Sequence, residues 1–149
     1  MQHTLVNALA RYSIAALRIS LGLVIVGFGA LKYFPGASPA AELAARTVEV
    51  LSFGLVSGTT AVVATAVVET VVGLTLLTGV GLRIGLVAMA GWLVGILSPV
   101  VLFAADLFPG GLPTLTAQYV LKDLILVAAA AVVAAWALGA RYVVKEDDR

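Results

Sequence analysis

Thr60–Thr78 reads TAVVATAVVETVVGLTLLT and Ile84–Ala105 reads IGLVAMAGWLVGILSPVVLFAA, with only GVGLR (79–83) between them. At 1.5 Å of rise per residue each segment makes about 30 Å of helix, enough to cross the hydrocarbon core of a bilayer. So short a link makes the two an antiparallel helical hairpin. One acid, Glu69, stands at the middle of the first segment.

Outward from this hairpin, one further span is expected on each side. The first runs from about Ser13 to Leu31 and closes on Lys32-Tyr33-Phe34-Pro35-Gly36, where aromatics and a lysine suit the headgroup level and Pro-Gly breaks the helix. Arg18 interrupts what would be the apolar region of a signal peptide, so this span reads as an uncleaved anchor. The last runs from about Ala117 to Leu138, after a loop at Asp106–Thr116 and before a tail at 139–149. Between the first and second spans, Ser38–Leu55 is too polar to cross. Glu42, Arg46 and Glu49 fall on one helical face and Ala44, Val48, Leu51 and Leu55 on the other. The pattern predicts an amphipathic helix in the interface, with Ser38 as N-cap and Pro39 at the first helical position. The expected fold is an all-α integral membrane protein: one domain over 1–149, a bundle of four transmembrane helices with a short interfacial helix between the first two.

Composition agrees: 62% of residues are hydrophobic, 11% are charged and the mean hydropathy is +1.12. Lys and Arg number 9 against 8 Asp and Glu, so no basic surplus points to nucleic acid. With 0 Cys there is no disulfide, thiolate metal site or thiol relay within the chain. One histidine, His3 in the polar N-terminal stretch, makes neither a metal site nor a haem-ligand pair. The bilayer itself is the expected partner. Arg11, Arg83, Arg141, Lys145 and Arg149 fall on one side and Lys32 and Arg46 on the other, so the positive-inside rule places both termini in the cytoplasm.

Small residues recur where close helix packing needs them. Gly22 and Gly29, Gly81 with Gly85, Gly91 with Gly95, and the alanines from Ala128 to Ala135 serve contacts within the chain or between copies. Ionisable groups inside spans cost at least ~2.5–3.5 kcal/mol each on insertion scales and so mark candidate sites. Arg18 shares a face with Gly22, Ile25, Gly29 and Lys32; Glu69 shares one with Thr65 and Gly73; Lys122 and Asp123 are adjacent. Helix rise puts Arg18 about 5 Å from the depth of Glu69. The expectation is an Arg18–Glu69 pair, with Lys32, Lys122 and Asp123 clustered toward the outer side beside Tyr33 and Tyr119. Lys32 and Lys122 have the alternative of snorkelling to the interface.

Leu17-Arg18-Ile19-Ser20, Gly29-Ala30-Leu31-Lys32-Tyr33-Phe34-Pro35, Val68-Glu69-Thr70-Val71-Val72-Gly73-Leu74, Ser98-Pro99-Val100 and Tyr119-Val120-Leu121-Lys122-Asp123-Leu124 occur in this order. In this respect the chain resembles the YkgB/RclC-like branch of the DoxX-like superfamily of bacterial inner-membrane proteins, over roughly Ala16 to Ala135. It departs after Pro35, where that family has an acidic residue and a longer outer loop. The resemblance implies an inner-membrane location and a link to redox stress and the quinone pool; it supplies no reaction. Three readings follow. One is a redox-associated subunit that binds a quinone or other lipophile between its helices, its polar head held by Arg18 and Glu69. Another is a non-enzymatic scaffold docking other membrane subunits, and the third a small transporter acting as a homo-oligomer. No covalent cofactor is expected.

Overall fold

The computed structural model describes residues 2–141, with side chains from Thr4 onward. The charged tail beyond Arg141 and the side chain of His3 lie outside the described residues. Within them the chain is helical, with no strand: α1 (Gln2–Lys32), α2 (Ala41–Leu51), α3 (Gly58–Thr78), α4 (Leu82–Leu97), α5 (Pro99–Leu102), α6 (Ala104–Leu107), a 3-10 turn (Pro109–Gly111), α7 (Leu115–Lys122) and α8 (Leu124–Ala137). Thr4–Lys32, Gly58–Thr78, Leu82–Leu102 and Leu115–Ala137 are each long and apolar enough to cross a membrane. The protein is a multi-pass, all-α bundle of four membrane-spanning helices.

The bundle is a ring. α1 packs on α3 and α8, and α4 closes the circle against α3 and α8. Ile25, Val72, Leu76, Met89 and Val133 meet in the shared core, each 1% exposed or less. The tightest seam joins α1 to α3, and glycine makes it possible. A Cβ on Gly22 would lie 3.0 Å from the Gly73 carbonyl oxygen, and one on Gly73 would run into Val26 Cγ2. Without a hydrophobic drive between helices in lipid, such backbone approach supplies the packing energy. Gly22, Gly29 and Gly85 thus serve contacts within the chain, whereas Gly91 has open space around it.

The hairpin between α3 and α4 turns on two left-handed residues, Gly79 (φ 76°) and Gly81 (φ 64°), with the Gly79 N–H donating to Thr75 O at 2.9 Å. Only glycine adopts that region without penalty. The third span is interrupted at Ser98-Pro99, between α4 and α5. Proline has no N–H for the carbonyl four residues back, and the Ser98 hydroxyl donates to that carbonyl, Gly95 O, at 2.7 Å. The last span breaks at Asp123, whose N–H bonds Val120 O, three residues back, at 3.1 Å.

Three local expectations are corrected. α2 is shorter than 38–55: Pro39 and Ala40 form a turn, Ala40 precedes the first helical residue, and the Ser38 hydroxyl is buried without a hydrogen-bond partner instead of capping. Leu55 is 87% exposed, outside the apolar face of α2. The stretch 106–116 is not one loop, because it holds the end of α6 and the 3-10 turn, and α7 starts at Leu115 where Thr114 Oγ1 accepts from Ala117 N at 3.1 Å.

Candidate functional site

Lys32 closes α1, where its charge complements the carbonyl end of the helix. Gly29, one turn earlier, lets α3 come so close that a Cβ there would lie 2.9 Å from Glu69 Cβ. Lys32 Nζ therefore meets both carboxylate oxygens of Glu69, at 2.8 and 2.7 Å, and also donates to Phe28 O at 3.5 Å. Trp92 on α4 adds its indole N–H to Glu69 Oε1 at 3.3 Å. Lys32 is 7% exposed and Glu69 2%. A mid-membrane carboxylate is tolerable only when satisfied in this way.

The expected Arg18–Glu69 pair is not formed. The Gly22–Gly73 contact sets an antiparallel register in which Arg18 faces the far end of α3, roughly 12 Å of helix rise from Glu69. There Arg18 Nη1 donates to the carbonyls of Leu76 and Leu77, satisfying groups that a helix end leaves free. Lys32 does not snorkel; it is the partner Glu69 takes.

Beside this pair lies a cleft of about 650 Å³ walled by α1, α2, α3, α4 and the α7–α8 break. Most of its wall is apolar, including the inner face of α2 at Leu43, Ala44, Val48 and Leu51. Lys32, Glu69, Trp92, Tyr119, Lys122 and Asp123, with Thr47, Thr65 and Thr116, form the polar part. The Lys122 ammonium stands 4.6 Å from the Phe28 ring centre and 4.7 Å from that of Tyr119, a cation–π position. Asp123 is half-buried, and among the described residues its carboxylate has no ion-pair partner. The structure thus brings Lys32, Glu69, Tyr119, Lys122 and Asp123 together and leaves Arg18 out. Tyr33 is outside too, its hydroxyl 3.2 Å from Thr70 Oγ1.

Sequence reasoning missed Trp92, Phe28 and the role of α2 as a wall of the cleft. Trp92 carried a signal: an indole far from either end of a span needs an acceptor for its N–H. Among the described residues no group of three His, Cys, Asp or Glu is placed to hold a metal ion. No family model, curated protein or solved structure matches the chain. What the site offers chemically is an apolar slot with two ammonium groups, a phenol and, among the described residues, one carboxylate outside any ion pair, at one place.

Proposed function

We propose that the chain is a DoxX-like protein of the bacterial inner membrane, of the YkgB/RclC-like kind, that binds a quinone or similar lipophile in the cleft and acts as a redox-stress-associated subunit. One observation carries this reading: Lys32, Glu69, Pro99, Tyr119, Lys122 and Asp123, from four separate parts of the sequence, line one largely apolar cleft. Its volume of about 650 Å³ falls in the range of roughly 300–1,000 Å³ usual for small-molecule sites. The charge asymmetry between Arg11, Arg83 and Arg141 at one end and Lys32 and Arg46 at the other supports cytoplasmic termini, with the cleft in the outer half of the bilayer.

The donor set fits a quinone. Phe28, Trp92 and Tyr119 supply flat surfaces, the Tyr119 hydroxyl and the Lys122 ammonium donate to the carbonyl oxygens of a quinone, and the Asp123 carboxylate accepts a hydrogen bond from a hydroxyl of its reduced, quinol form. When bound, a quinone supplies the electron-carrying chemistry for which the chain, with 0 Cys and 1 His, has few groups of its own. The Lys32–Glu69–Trp92 cluster holds the floor of the cleft rigid, and the α2 face excludes water. The test is lipid extraction from the purified protein together with its melting temperature. Quinone is expected to copurify with wild type and to raise its melting temperature more than that of Asp123→Asn; no quinone and no shift would remove the reading.

A further inference from the structure

The end of the bundle opposite the cleft holds a second cavity, of about 380 Å³, lined by Arg11, Arg18 and Arg141 with Ile14, Leu82 and Trp136. We propose that this cavity binds the phosphate of an anionic phospholipid. The proposal is independent of the cleft and of what the cleft binds.

Three guanidinium groups share one hollow, and among the described residues no carboxylate lines it. The acids among the described residues are on or beside α2 or at the cleft: Glu42, Glu49, Glu69, Asp106 and Asp123. Like charges lining one cavity repel, and an anion between them relieves that repulsion. Two of the three are already fixed in place. Arg18 is anchored by Nη1 to the carbonyls of Leu76 and Leu77, and the rest of its fork has no protein acceptor among the described residues. Arg141 donates to Trp136 O at 2.9 Å and Ala140 O at 2.7 Å, and lies 5.2 Å from the Trp136 ring centre. A guanidinium fork held in place suits a phosphate's oxygens.

Depth favours a lipid over a free ion. Arg11 stands about 30 Å of helix rise from Lys32, one hydrocarbon thickness, and Tyr12 and Trp136 beside it mark the headgroup level. Ile14 and Leu82 give the cavity an apolar floor that a glycerol and the start of an acyl chain would cover. Basic pockets between membrane helices take anionic headgroups in this way.

The test is lipid retention by the full-length protein in nanodiscs of phosphatidylcholine doped with phosphatidylglycerol, read by native mass spectrometry. Wild type is expected to enrich phosphatidylglycerol by about tenfold, and Arg11→Gln/Arg141→Gln to lose the enrichment. Arg83→Gln removes the same kind of charge from the same end but outside the cavity, and is expected to keep it. No enrichment by wild type, or equal loss in Arg83→Gln, would overturn the proposal. So would displacement of the lipid by millimolar inorganic phosphate, which would identify a free-anion site. A last arm neutralises the chain's own acids with Glu146→Gln/Asp147→Asn/Asp148→Asn. If phosphatidylglycerol binds only in that variant, the tail is the occupant and the proposal fails.

Discussion

Lys32 Nζ lies 2.8 and 2.7 Å from the two carboxylate oxygens of Glu69, with both side chains almost fully buried. A buried pair broken from one side leaves a charge without compensation and costs about 3–5 kcal/mol. Lys32→Met and Glu69→Leu are each expected to destabilise on that scale, and the double variant by clearly less than their sum. Denaturation in detergent micelles, run as a double-mutant cycle, measures the coupling. The Arg46–Asp106 pair at 2.9 Å, with side chains 48% and 61% exposed, is the internal control, because exposed pairs contribute about 0–1 kcal/mol. Similar coupling in the two cycles would contradict this description of the cleft floor.

The α1–α3 seam predicts which glycines matter. Gly73→Ala must displace Val26, and Gly22→Ala presses on Leu77 and the Gly73 carbonyl; each is expected to cost about 1–3 kcal/mol by overpacking. Gly27 meets nothing within 4 Å of its added Cβ, so Gly27→Ala is expected to be neutral or to stabilise by up to about 1 kcal/mol through helix propensity. Melting temperatures of the three variants, compared in one detergent, check the order.

At the α4–α5 junction of the third span, Ser98→Ala removes the donor that serves the Gly95 carbonyl. An acceptor left unsatisfied costs about 1–3 kcal/mol. Ser98→Thr keeps the hydroxyl and is expected to recover most of the loss. If alanine and threonine behave alike, the hydroxyl is not what holds this junction.

The bundle itself was legible because hydropathy and length need no partner: four apolar runs, each long enough to cross a bilayer, read as membrane helices on their own. The amphipathic face of α2 was legible too, since Glu42, Arg46 and Glu49 remain exposed while Ala44 and Val48 turn inward. What failed was register. Depth counted from the expected edges of the spans set Arg18 near Glu69, whereas the antiparallel register comes from one glycine contact, Gly22 on Gly73, that no count along a single helix contains. Trp92 escaped notice for a related reason. Its role depends on α4 facing Glu69, which follows from packing around the ring and not from its own neighbours in sequence. Ser38 shows the local limit: a good capping residue before Pro39 loses its place because Pro39 and Ala40 form a turn and the helix begins at Ala41, two residues later than expected.

Binding of a lipophile in the cleft can be read directly from Trp92, which lines it and is one of 2 tryptophans. In a Trp136→Phe background Trp92 is the sole indole reporter, and a short-chain quinone is titrated against its fluorescence. Gly95 also lines the cleft, and an added Cβ there meets nothing within 4 Å, so Gly95→Leu fills the space without a clash at its base. Saturable quenching is predicted, with affinity reduced at least about tenfold, or about 1.4 kcal/mol, by Gly95→Leu. Quenching that stays linear in quinone and is unchanged by Gly95→Leu would contradict the account.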